Sequence, residues 1–257
     1  MIICTWNVNS IKARQERFCK FVERVRPDVL CLQELKCLDE AFPLEAVQAL
    51  GYECHTFGQK TYNGVAILSR LPVTNVKKGF CEGFPEARYI EGTVGNATIV
   101  SVYVPNGQEV GSEKYRYKLD WLAKLEEHLA QHPQRGGMMA ICGDFNIAPT
   151  NRDVHDVTLW KDKILFSEPE KAALQKICDV GFGDVYREAN PHATEFSWWD
   201  YRGLAFPFNR GLRIDFILAT EKLRQKTKRS WMERDERKGQ KPSDHIPVLA
   251  EFDLDGQ

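Results

Sequence analysis

The chain has 257 residues, of which 43% are hydrophobic and 28% charged, and its formal net charge is −1. That length can bury one large core, and the composition excludes a disordered chain and gives no sign of a membrane partner. The near-neutral balance does not announce a polyanionic partner, although cations gather locally at 224–229 and 234–241, a pattern that usually makes a solvated face. Eight cysteines form no Cys-x-x-Cys pair and cluster with no histidine at metal spacing, so reduced thiols in a cytoplasmic protein are expected. The first residues lack a basic n-region, so no leader is expected.

In chain order, 2–6 is predicted as a strand that delivers Asn7 into a polar turn. Ser10 is a candidate N-cap for a helix whose Phe18, Phe21, Val22 and Val25 share one face, and Pro27 stops it. Residues 28–32 form a second apolar strand that empties into Gln33, Glu34, Leu35 and Lys36. Strand, helix, strand predicts a right-handed crossover and parallel neighbours. Five short β-rich runs follow, at 52–57, 64–68, 73–77, 88–94 and 98–104, joined by tight turns that suit antiparallel pairing. The last of them ends on Tyr103 and Asn106. Residues 112–131 place Tyr115, Leu119, Leu122, Leu125 and Leu129 on one helical stripe, with a charged, solvated face opposite.

The run 138–142 then reads as a buried strand, bounded by glycines and followed at once by Asp144 and Asn146. Ser167, Glu168, Pro169 and Glu170 make a capping box for a helix holding Leu174 and Ile177, which Gly181 and Gly183 are expected to end. Residues 195–211 are aromatic and turn-rich, 212–218 returns to strand with Asp215 inside it, and Ser243, Asp244 and His245 lead into a final strand. No linker or repeat divides the chain. The expected fold is a single α/β domain over 1–257, a four-layer sandwich of two packed mixed β-sheets flanked by helices.

Asn7, Glu34, Tyr103, Asp144, Asn146, Asp215, Asp244 and His245 all fall where a strand meets a loop. Ligands of layered α/β folds bind where strand ends converge, so a common mouth is expected. Residues i and i+2 at a strand end face the same side, which pairs the Asp144 carboxylate with the Asn146 amide. Such a pair can hold a hard cation and donate to a phosphate, although Asp-Phe-Asn by itself is equally a polar turn. Several acids together need a cation to stay ionised. With no competing Cys/His cluster, Mg²⁺ is the natural ion, with Mn²⁺ able to substitute. His245 alone would read as structural, and Asp215 gives it a partner.

The runs Thr5-Trp6-Asn7-Val8-Asn9, Leu32-Gln33-Glu34-Leu35-Lys36, Asn63-Gly64-Val65-Ala66, Gly143-Asp144-Phe145-Asn146, Arg213-Ile214-Asp215 and Ser243-Asp244-His245 resemble, in order and over nearly the whole chain, the exonuclease III family of DNA repair nucleases, a branch of the DNase I-like endonuclease, exonuclease and phosphatase fold. The resemblance implies a monomeric, Mg²⁺-dependent nuclease of double-stranded DNA that incises 5′ to abasic sites and trims blocked 3′ ends as an exonuclease or 3′-phosphatase. Glu34 would be the principal metal ligand, with Asn7, Asp144, Asn146 and Asp244 in or beside the coordination sphere. His245, held by Asp215, would contact the scissile phosphate or accept the water proton. Asp144 would act as general acid or base, and Tyr103 and Asn146 would hold phosphate oxygens.

The same resemblance makes Trp198 and Leu212 the walls of an apolar pocket for an extruded abasic sugar, with Trp199, Tyr201 and Arg202 against the duplex, although Trp199 reads equally, and Trp198 less readily, as an ordinary core aromatic. Lys36, Tyr62, Asn63, Asn106, Lys118 and Arg210 would track phosphates, positioning the duplex without reading its sequence. The loop 108–111 lacks a basic wedge for the groove. Two alternatives stay on the same fold. A lipid or inositol phosphatase would lack the aromatic stretch, and a catalytically silent nucleic-acid-binding regulator would have lost Glu34, Asp144 or His245.

Overall fold

The structure, a computed structural model, describes residues 1–254. Among the described residues, twelve strands form two six-stranded sheets. The first sheet contains β1 (Ile2–Asn7), β2 (Val29–Gln33), β3 (Glu53–Phe57), β4 (Val65–Ser69), β11 (Thr227–Met232) and β12 (Val248–Phe252), in the order β11-β12-β1-β2-β4-β3. The second contains β5 (Val73–Lys78), β6 (Tyr89–Val94), β7 (Ala97–Tyr103), β8 (Met138–Asp144), β9 (Phe182–Asp184) and β10 (Asp215–Thr220), in the order β5-β6-β7-β8-β10-β9. One parallel pair sits inside each sheet, β1 with β2 and β7 with β8, so both are mixed as predicted.

Side-chain alternation builds the layers. Ile3, Val29, Cys31, Ile99, Cys142 and Ile217 point into the space between the sheets. Their neighbours Cys4, Trp6, Leu30 and Leu32 point out under α1 (Ile11–Val25) and α2 (Leu44–Gln48). On the second sheet Val100, Val102, Met139, Ile141, Phe216 and Leu218 face outward to Trp121, Leu122 and Leu125 of α3 (Glu113–Ala130). Leu174 and Ile177 of the helix Glu168–Asp179 close the same layer. The period of two is what lets each strand serve two cores.

Register then brings the strand ends level. Asn7 pairs with Gln33 across the parallel pair of the first sheet. Tyr103 pairs with Asp144, and Asp144 with Asp215, across the second. Gly143 makes that row possible, because a Cβ there would lie 2.0 Å from the Val102 carbonyl oxygen.

Two expectations need correction. The strand expected from 212 begins at Asp215, and Leu212 only bridges to Val154 and Trp198. Gly181, at φ +118°, turns the chain, whereas Gly183 lies inside the short strand β9, where a side chain would meet Glu188 and Arg224. The basic run near 224–229 is exposed as expected, partly on the edge strand β11, where Lys228 and Arg229 charge a sheet edge against pairing with another chain.

Candidate active site

The exits of β1, β2 and β8 at the mouth turn through left-handed residues: Asn9 (φ 44°), Glu34 (φ 52°) and Lys36 (φ 53°), and Asn146 (φ 51°). Such backbone costs about 1 kcal/mol or more at non-glycine positions and persists where surrounding bonds over-determine it. The bonds are present. Ser10 N–H donates to the Glu34 carbonyl at 2.7 Å, Lys36 N–H to the Asn63 carbonyl at 3.0 Å, and Phe145 N–H to the Ile214 carbonyl at 2.9 Å.

The functional side chains converge across the gap between the sheets. Asn7 Nδ2 donates to Glu34 Oε1 at 2.8 Å and to Asp144 Oδ2 at 3.0 Å. His245 lies with Nδ1 2.9 Å from Asp215 Oδ2 and Nε2 3.6 Å from Asp144 Oδ2. Ligand atoms of Glu34, Asp144 and His245 all fall within 4.8 Å of one another. Beside them opens a cleft of about 700 Å³, lined by Glu34, Tyr62, Asn63, Arg88, Tyr103 and Asn106 among others. Two serines hold the frame from behind. Ser197 Oγ accepts the Ile214 and Asp215 N–H groups, and Ser243 Oγ donates to the Asn7 carbonyl while accepting His245 N–H.

Burial and charge act on these groups in opposition. Burial pushes the Asp144 carboxyl up to about 7, helped by Asp215 and Glu34 and opposed by His245 and Asn7. Burial disfavours a charged His245, yet the Asp215 and Asp144 carboxylates outweigh it and raise the ring to about 10. Tyr103 is pushed well above the ordinary phenol value, first by burial and then by Glu34 and Asp144, so it is a proton donor at neutral pH. Asp244 is held below the usual carboxylate value: burial works against this, and His245, Asn9 and Trp198 prevail.

The donor set fits a hard divalent cation. Glu34 and Asp144 offer oxygens that already attract positive groups, the Lys36 ammonium 2.8 Å from Glu34 Oε2 and His245 Nε2 3.6 Å from Asp144 Oδ2. Asn7 bridges the two carboxylates with a neutral amide. Oxygen donors of this kind suit Mg²⁺ or Mn²⁺.

Of the residues expected to hold metal, Glu34 and Asp144 present carboxylate oxygens there, while Asn7 bridges them through Nδ2 with its Oδ1 accepting the Asn9 N–H at 3.0 Å, and the side-chain oxygens of Asn146 and Asp244 are engaged as well. Asn146 Oδ1 accepts from Asn106 Nδ2 at 3.0 Å, while its own amide donates to Asp144 and to the Val104 carbonyl, so it orients Asp144. Asp244 is engaged through Oδ1 by Asn9 and through Oδ2 by Trp198 Nε1, at 2.9 and 3.0 Å.

The expected DNA-facing set divides as well. Tyr62 (67% exposed), Asn106, Arg202 and Arg210 are open to solvent, with Arg202 paired to Asp200 and Arg210 donating to the Gly203 carbonyl. Trp198 is partly exposed. Lys118 is 0% exposed and is corrected from a phosphate contact to an internal strut: it pairs with the buried Glu170 and donates to the Asn146 and Asn106 carbonyls. Lys36 is tied to Glu34 and to Asn9 Oδ1, and Asn63 is buried with its amide on Gln59. Leu212 and Trp199 are both 0% exposed, so neither presents a surface to a duplex, and Trp199 belongs to a core with Phe196, Ala205 and Ile246.

Asn9 and Arg88 escaped sequence reading. Asn9 is two residues beyond Asn7, and the same i, i+2 logic that paired Asp144 with Asn146 would have found it. Arg88 donates to the Tyr103 carbonyl at 3.1 Å and stacks over the Tyr103 ring at 4.8 Å. Its place at the head of the β-rich run 88–94 gave no signal.

Residues 4–245 match the Endonuclease/Exonuclease/phosphatase family. The exodeoxyribonuclease III of Haemophilus influenzae is 35% identical, over 98% of this chain and 100% of the relative. A Neisseria 3′ phosphatase, solved with a product DNA hairpin, superposes with a TM-score of 0.96 at 39% identity, covering 98% of this chain and 99% of the other. An AP endonuclease from Archaeoglobus fulgidus superposes equally well, TM-score 0.96 at 35% identity, over 99% and 100% of the two chains. With the fold, the converged carboxylates and these relatives in agreement, the chain belongs to the endonuclease/exonuclease/phosphatase family, in its exodeoxyribonuclease III branch.

Proposed function

We propose that this protein is a Mg²⁺-dependent DNA repair nuclease that acts as a monomer in the cytoplasm, hydrolysing phosphodiesters in double-stranded DNA at abasic sites and at blocked 3′ ends. The observation that carries the reading is the meeting of Glu34, Asp144 and the Asp215-held His245, whose ligand atoms lie within 4.8 Å of one another, beside a cleft lined by Glu34 and Tyr103.

Glu34 and Asp144, with the Asn7 amide between them, would hold the cation, which would supply neutralisation of the phosphate charge. Asp215 fixes the His245 ring through Nδ1 and favours its cationic form, so Nε2 donates to the phosphate on the side that faces Asp144. Asn146 N–H and Nδ2 hold the Asp144 carboxylate in place as the group that moves a proton between water and leaving oxygen. Tyr103, kept protonated, donates to a phosphate oxygen as charge develops. Each such donor is worth about 10²–10³ in rate. Tyr62, Asn106, Arg202 and Arg210 contact the DNA backbone from the rim.

A narrower reading, 3′-end trimming without internal incision, draws on the complete burial of Leu212, which leaves Trp198 as the exposed wall for an extruded sugar. One assay separates the two: Mg²⁺-dependent cleavage of end-labelled duplexes carrying an abasic analogue, a recessed 3′ end or a 3′-phosphate nick, with Asp144→Asn as control. Incision at the analogue supports the abasic endonuclease, trimming alone supports the narrower reading, and intact substrates throughout refute both.

A further inference from the structure

A second cluster of ligating side chains lies away from the catalytic mouth, on the outer face of the second sheet. Glu91 is in the middle of β6 and pairs with Val100 of β7. That is three residues back from Tyr103, or roughly 10 Å along the strand. Above it, α3 ends with His128 in its last turn, and His132 follows just beyond the helix in the turn after it, with the two ring centroids 5.5 Å apart. Glu91 and His132 are buried, at 3% and 7% exposure, and His128 is half-buried.

The donor atoms converge. His132 Nε2 is 3.2 Å from Glu91 Oε2, and His128 Nε2 is 3.2 Å from the Tyr89 hydroxyl. That hydroxyl itself donates to Glu91 Oε2 at 2.5 Å. The three ligand atoms of Glu91, His128 and His132 lie within 4.8 Å of one another. A tetrahedral ion with bonds of about 2.1 Å holds its donors roughly 3.4 Å apart, so movements of an ångström or less complete the set. Phe80 packs on both Tyr89 and His128, with ring centroids 5.1 and 5.6 Å away, and gives the cluster a low-dielectric wall. A shallow cavity of about 360 Å³ beside His128 provides an entry path.

We propose that Glu91, His128 and His132 bind one divalent transition metal of the zinc class, with the Tyr89 hydroxyl or a water in the fourth position, joining the end of α3 to the second sheet. Two imidazoles and a carboxylate are a zinc ligand set, and the nitrogen donors select against Mg²⁺, so this ion is distinct from the one assigned to Glu34. The inference stands independently of the nuclease reading. Two rearrangements accompany binding. His132 Nδ1 accepts the Gln134 N–H at 3.2 Å, which puts the ring proton on Nε2; metal at Nε2 moves that proton to Nδ1, and the Gln134 N–H, on an exposed turn, passes to water. Lys77, which pairs with Glu91 Oε1 at 2.8 Å and whose side chain is 65% exposed, swings away or stays on the oxygen that the metal does not use.

The test uses the full chain, stripped of metal with a chelator, in a Glu34→Ala background that disables the oxygen site. Zinc chloride is titrated by calorimetry and the thermal midpoint is followed with and without the metal. The proposal predicts one zinc per chain, a zinc-dependent rise in the midpoint, and affinity lost or weakened roughly 100-fold by His128→Ala or Glu91→Gln. His128 is partly exposed, so its replacement leaves the fold intact, and His128→Ala in the otherwise unaltered chain should cleave DNA with Mg²⁺ at the normal rate. Absence of zinc binding, or binding that survives His128→Ala unchanged, reduces the cluster to a hydrogen-bonded network and overturns the proposal.

Discussion

Replacing Lys118 with methionine separates two readings of that residue by their energies. Lys118 and Glu170 form an ion pair in which both side chains are 0% exposed. Burial lowers the Lys118 pKa against the pull of Glu170, which marks the desolvation that the pair overcomes. Its ammonium also satisfies the Asn146 and Asn106 carbonyls, at 2.6 and 3.2 Å, and Glu170 accepts the Leu165 and Ser167 N–H groups at the start of the following helix. Methionine fills similar volume but strands a buried carboxylate and two carbonyls. Breaking one partner of such a pair costs about 3–5 kcal/mol. Urea unfolding of metal-free protein, followed by tryptophan fluorescence, should show a lower midpoint at unchanged slope. The double variant Lys118→Met/Glu170→Leu should recover much of the loss, because no lone charge remains. If Lys118 were a phosphate contact, the single variant would keep its stability and instead bind DNA more weakly, with a shallower salt dependence. That outcome would refute the strut.

Three other perturbations test the frame. Asp215→Asn removes the carboxylate that holds His245 Nδ1 at 2.9 Å, and should lower kcat by about 10²–10⁴ with little change in DNA affinity, measured by single-turnover kinetics and binding titration. Asp153 is buried, which alone would raise its pKa, but Arg213, Thr150 and Arg187 hold it below the ordinary carboxylate value. Its contribution to stability is therefore complete above the unfolded carboxylate range near 4 and disappears as pH falls through the lower folded value; Asp153→Asn should flatten the acid side of a urea-midpoint profile between about pH 2 and 6. Trp199→Ala should cost about 3–5 kcal/mol of stability, read by the same denaturant assay, since the ring is fully buried against Phe196 and Phe206.

Much of the site was legible because strand ends announce themselves. Apolar runs closed by Asn7, Glu34, Tyr103 and Asp144 needed only parallel neighbours to become level, and the observed register makes them so. What escaped depended on long-range partners. Asn146 and Asp244 carry ligand-type side chains, but whether an amide or carboxylate is free for a metal is decided by Asn106, Asn9 and Trp198, which sequence position cannot supply. Lys118 was readable in principle: it lies three residues after Tyr115 and four before Leu122, on the buried stripe of α3. Its charge argued for the surface, and only Glu170, 52 residues later, explains why it is inside. The aromatic stretch divided the same way, with Trp198 at the rim and Trp199 in the core, because adjacent residues in extended chain face opposite sides.

The central claim is that Glu34, Asp144 and His245 form a centre for phosphodiester hydrolysis, and a single-turnover experiment tests it most directly. Excess enzyme with Mg²⁺ is mixed with end-labelled duplex carrying an abasic analogue or a 3′-phosphate, for the native chain and for Asp144→Asn, with DNA binding measured separately. The account predicts Mg²⁺-dependent product from the native chain and, for Asp144→Asn, comparable binding with hydrolysis slowed by about 10²–10⁴. Equal rates for the two proteins, or no product from either substrate, would contradict it.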